Sequence, residues 1–182
     1  GMVAIQALWA GPWLTRVAGR DATESAEGLF LVNSCMLLAF MAWGALMPRL
    51  VARGFDAARV MVLGMPLNLV VLAAIVLSPV PAGPLAWAAW CVSCTVVSLS
   101  QPAVGQAFAS HLAGRALSAF NLVMFAGIFV IQWGIGLVLD AAADFGWSDA
   151  QAFRLALAML GVMNLGSYLW YVFAPVARRA DH

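Results

Sequence analysis

Apolar residues in this chain come in long uncharged blocks, with the polar residues gathered in short clusters between them. The best delimited block, Ala116 to Leu139, is 24 residues without a charge. At about 1.5 Å per residue it makes roughly 36 Å of helix, enough to cross a bilayer. A second uncharged stretch, between Arg59 and His111, is too long for one helix, and the prolines of SPVPAGP at Ser78 to Pro84 divide it. The pattern predicts an all-α chain of six apolar helices, at about residues 1–15, 28–48, 60–77, 85–108, 116–139 and 155–174. The first is too short to span comfortably and reads as a helix cut from a longer one; a start at Met2, with Gly1 as a tag remnant, is the competing reading. Acids in RDATESAEG suit the N-terminus of the second helix. Ser148 and Gln151 are spaced as a capping box ahead of the last.

Polar side chains inside these blocks narrow the picture. Asn121 and Gln132 lie eleven residues apart, about three turns, so they share nearly one face, and Phe125 and Ile128 complete that stripe. Gly127 and Gly134 lie on another face and suit close approach of a neighbouring backbone. An amide in lipid is costly without a partner or water, so the Asn121 and Gln132 face is expected to turn toward protein or a hydrated cavity. In the fourth helix Trp87, Cys91, Cys94, Ser98, Gln101 and Gly105 recur at helical spacing, a small and polar stripe fit for a cavity wall or a tight helix contact. Pro102 in the same helix marks a bend. Gln6 and Asn33 add two further amides that suit a pore-facing position. Against this stands a plainer reading, in which such amides only bond helix to helix. Tyr168, Trp170 and Tyr171 read as interface anchors.

Composition agrees with the pattern. Hydrophobic residues reach 64% and charged ones only 9%, far from the roughly 45–50% and 25% of soluble domains, which makes this a polytopic membrane protein whose first partner is the lipid bilayer. The net charge of +1 gives no reason to expect nucleic acid. Six spans would place Arg49, Arg53, Arg59, Arg115, Arg178 and Arg179 on one side and Arg16, Arg20 and Arg154 on the other. By the positive-inside rule both termini are then cytoplasmic. No ionisable residue of Asp, Glu, Arg, Lys or His type lies deep in a predicted helix, so a proton-carrying side chain is not expected here and a neutral or amphipathic solute is favoured. No metal-ligand cluster, phosphate loop or nucleophile elbow stands out, and neither enzyme activity nor a cofactor is expected. Cys91 and Cys94 form a C-x-x-C pair, which makes a membrane thiol oxidoreductase a remote alternative; the second pair that relays electrons in such enzymes has no counterpart, since only Cys35 remains.

The run LAGRALSAFNLVMFAGIFVIQWGIG at Leu112 to Gly136 resembles the stretch that leads into and through helix eleven in bacterial transporters of the major facilitator superfamily. LWAGPWL at Leu8 to Leu14 is similar to the end of helix seven in the same proteins. Gly44, Arg49, Arg53 and Gly54 fall in a loop similar to the superfamily's signature between the second and third helices of each half; Pro48 stands where Asp is usual, which removes the acid of that loop's charge relay. The resemblance implies the C-terminal half of a secondary active transporter in the bacterial inner membrane, built from inverted three-helix repeats at residues 1–77 and 85–174. It implies alternating access to a small solute and a partner bundle, either an N-terminal six-helix half or a second copy. On that view Gln6, Asn33, Cys94, Ser98, Gln101, Asn121, Phe125 and Gln132 border the substrate path, while Asn68 and Asn164 fall on helices that flank the bundle in the family and are expected to be satisfied structurally. The alternative is a stand-alone six-helix membrane protein, acting as a homodimer or as an interaction partner.

Overall fold

The computed structural model describes Gln6 and residues 8–173, and every regular element among them is helical. A short turn, α1 (Ala10–Pro12), runs into a π-helical turn at Trp13–Val17. Then come α2 (Ala22–Ala52), α3 (Ala57–Leu77), α4 (Pro84–Cys94), a 3₁₀ stretch at Thr95–Leu99, α5 (Ser100–Gln106), α6 (Ser110–Asp144) and α7 (Asp149–Phe173). Four of these, α2, α3, α6 and α7, are long and apolar enough to cross a membrane. Residues 1–5 and 7 of the expected first helix, and the Arg178, Arg179 pair, lie outside the described residues.

The helix starts follow from their caps. Asp21 accepts the Glu24 N–H at 2.8 Å while the Glu24 carboxylate accepts the Asp21 N–H at 3.2 Å, a closed capping box that opens α2 six residues before the apolar block. Ser148 and Gln151 form the expected box before α7. Between α2 and α3, Gly54 turns the chain at φ +84°, which a side chain would resist, and Asp56 caps α3 by accepting the Arg59 N–H at 2.7 Å. The Arg59 guanidinium reaches back to the Gly54 carbonyl at 2.8 Å. At 35 residues, α6 is longer than the block of uncharged residues at both ends.

The fourth expected helix is helical throughout residues 84–106 but changes pitch in the middle, and the local sequence explains it. Four hydroxyls, those of Ser93, Thr95, Ser98 and Ser100, each donate to the carbonyl three residues back at 2.6–2.7 Å. Such back-bonding competes with the α-helical ladder and bends helices. Pro102 then withholds the N–H that would bond the Ser98 carbonyl. The 3₁₀ stretch sits between these two causes.

One end of the bundle is closed by tryptophan. Trp13 meets Trp87 edge to face at 5.9 Å and Phe153 at 6.0 Å, and Trp87 meets Trp90 at 5.3 Å. All three indoles are fully buried. Trp13 Nε1 donates to the Ala82 carbonyl at 2.9 Å, and Arg154 Nη2 to that of Ser78 at 2.7 Å, so the proline-rich loop is tied down from two helices. Close approach is built at Gly28 and Gly64: a Cβ at Gly28 would sit 2.8 Å from the Pro84 ring, and one at Gly64 would sit 2.9 Å from Val96. It is not built where the sequence suggests it, because a Cβ at Gly127 or Gly134 would meet nothing within 4 Å among the described residues. Both glycines lie on a stretch of α6 that packs against little else here, so their small size goes unused.

Candidate functional site

Between the tryptophan-sealed end and the arginine-bearing turns lies a cavity of about 530 Å³. Its walls come from every long helix. Residue spacing decides which side chains each helix contributes: Met36 and Phe40 are one turn apart on α2, and Cys91, Cys94, Ser98 and Gln101 recur every three or four residues along the fourth helix. From that expected stripe, Trp87 instead enters the core and Gly105 packs against Leu117. Phe120, Met124 and Ile128 present the facing stripe of α6, and Met65, Asn68 and Asn164 come from α3 and α7.

The polar groups of the wall are held in pairs. Gln6 Nε2 donates to Asn33 Oδ1 at 2.8 Å, and Asn33 Nδ2 donates to the Leu29 carbonyl at 2.7 Å. Gln101 Nε2 donates to Asn121 Oδ1 at 3.0 Å, joining α5 to α6. Asn68, fully buried, donates to Ser93 Oγ at 3.0 Å and sits 3.4 Å from the Trp90 carbonyl. Trp43 Nε1 donates to Thr95 Oγ1 at 2.8 Å and so pins the 3₁₀ stretch to α2. Asn164 has no hydrogen bond to another described residue. No charged side chain among the described residues lines the cavity.

Of the residues expected along a substrate path, Gln6, Cys94, Ser98 and Gln101 line this cavity, and Asn33 and Asn121 stand beside it through their bonds to Gln6 and Gln101. Phe125 and Gln132 are not on its wall. Phe125 is 62% exposed, because α6 turns the 120, 124, 128 stripe inward and 125 falls outside that arc. Gln132, half-buried, lies beyond the cavity toward the tryptophan end. Asn164, expected to be structurally satisfied, faces the cavity, and Asn68 both lines it and fixes α4. The sequence holds one signal for these two: each is a lone amide in an apolar helix, the same feature that singles out Asn33 and Asn121.

Gly44 and Arg49, expected in a loop, lie inside α2, because the helix runs through Pro48 to Ala52, and only Arg53 and Gly54 belong to the turn that follows; none of the four lines the cavity. Gly44 is exposed four residues before Pro48, and Arg49 Nη1 donates to the Ala45 carbonyl at 3.0 Å. The Arg53 N–H bonds the Leu50 carbonyl and ends α2. Tyr168, expected at a lipid interface, instead donates to the Val62 carbonyl at 3.1 Å. No protein-family model, curated protein or solved structure matches this chain.

Proposed function

We propose that the chain is one six-helix half of a secondary active transporter of the major facilitator kind, moving a small uncharged solute by alternating access. The observation that carries this reading is the cavity: amides, hydroxyls and thiols gathered inside a set of helices whose outer surfaces are apolar. Polar side chains are costly inside a membrane protein and are kept where something polar passes or binds, or where they join helix to helix. The interrupted fourth helix supports the same reading, since irregular backbone at membrane depth is tolerated where it borders a cavity. In this proposal residues 84–106 cross the bilayer as one broken helix, the Ala10–Val17 stretch belongs to a sixth crossing, and a second six-helix bundle faces the cavity. The arginines of the 49–59 turn and Arg115 then lie in the cytoplasm, and the tryptophan end faces out.

The test is side-specific labelling. Ser98→Cys, in sealed vesicles of known orientation, is treated with a membrane-impermeant maleimide and compared with the unmodified chain. Labelling from the arginine side alone is the expected result. No labelling from either side, or labelling only by a lipid-soluble maleimide, overturns the proposal.

A further inference from the structure

We infer that the cavity binds a flat, uncharged heteroaromatic molecule with an amide-like edge, a lactam or imide fused to an aromatic ring. The inference rests on the transporter reading and names its substrate class. Three properties of the wall lead to it. First, this bundle's share of the wall carries no ion among the described residues, so it offers a charged solute no counter-charge, and burying an unpaired charge costs several kcal/mol. Second, the hydrogen-bonding capacity left over is that of amides. Asn164 makes no bond to a described residue, and Gln101 uses one N–H on Asn121, leaving its carbonyl and its second N–H available. An amide carries both a donor and an acceptor in one plane, so it pairs best with an edge that alternates donor and acceptor in the same way. Third, the rest of the wall suits a ring. Phe40 and Phe120 offer aromatic surface, and Met36, Met65 and Met124 offer thioethers, which pack against aromatic rings with sulfur about 5 Å away. At about 530 Å³ the space falls within the usual range for small-molecule sites.

Lumichrome, a fluorescent three-ring lactam that is neutral at pH 6.5, is a suitable probe. The full 182-residue chain in phosphatidylcholine nanodiscs is titrated with lumichrome, with empty nanodiscs as the baseline. Flavin mononucleotide supplies a related ring with a phosphate charge, and anthracene supplies three rings with no hydrogen-bonding edge. The expected result is saturable lumichrome binding, at least tenfold weaker binding of flavin mononucleotide, and a threefold or greater loss for lumichrome in Asn164→Leu or Gln101→Leu with anthracene unchanged. Absence of saturable lumichrome binding, equal binding of flavin mononucleotide, or less than a threefold loss in both variants overturns the inference. Should Asn164→Leu not fold, Gln101→Leu on the exposed face of α5 carries the same comparison. The Ser98→Cys labelling separates the two failures: a labelled cavity that ignores lumichrome refutes only the ligand class, and an unlabelled one refutes the transporter reading as well.

Discussion

Pro66 lacks an N–H, so the Val62 carbonyl one turn earlier loses its helical donor, and the Tyr168 hydroxyl from α7 takes that place at 3.1 Å. Tyr168→Phe should therefore destabilise the chain by about 1–2 kcal/mol, since a half-buried carbonyl is left bare. Pro66→Ala returns the missing N–H, and in that background the same Tyr168→Phe change should cost far less. Thermal unfolding of the four proteins in detergent gives the coupling; additive effects would show that Tyr168 acts in some other way. Trp13→Phe should cost more, about 2–3 kcal/mol, because it removes both an indole bond to Ala82 and volume from a fully buried site. Both roles were only half visible in the residues. Sequence shows a tyrosine near a helix end and a proline within a helix, but the pairing needs α7 laid against α3, which no spacing within either helix encodes.

Among the elements, the fourth helix carries the clearest instruction. Its proline at 102 was legible as a bend; the hydroxyls at 93, 95, 98 and 100 add back-bonds that only the structure shows, and the 3₁₀ stretch is where the two effects overlap. Pro102→Ala restores a donor for the Ser98 carbonyl and should lengthen α5 backward into the 3₁₀ stretch. Hydrogen exchange at residues 95–102 should then slow, whereas unchanged exchange would assign the irregularity to the hydroxyl back-bonds and the Trp43 contact instead of the proline. Where α2 meets α4 the contact is set by Gly28: alanine there gains about 1 kcal/mol of helix propensity but must displace the stiff Pro84 ring. Overpacking costs typically 1–3 kcal/mol, so Gly28→Ala should lower the unfolding temperature. The four long apolar helices and their rough placement followed from uncharged run length. Helix ends did not, because α6 continues through Arg115 and Asp140 to Asp144, where Gly146 at φ +73° turns the chain.

At the scale of the whole molecule, the cavity was legible as a set of amides but not as a shape. Asn33, Gln101 and Asn121 stood out because an amide in an apolar helix is rare; the inclusion of Asn164 and exclusion of Phe125 depend on how far each helix is rotated about its axis, which repeats only approximately along a chain. The bundle is also unlike at its two ends. The end with Trp13, Trp87 and Trp90 is dry and tied by side chains to the proline loop, and the cavity occupies the other half. This division supplies the molecule with built-in optical labels. The clustered indoles should emit at short wavelength and ignore aqueous iodide, while Trp43, hydrogen-bonded to Thr95 on the cavity wall, stands where an arriving guest would change its light. Once the exposed Trp133, Trp147 and Trp170 are replaced by phenylalanine, emission from Trp43 would follow occupancy while the sealed cluster serves as the internal reference.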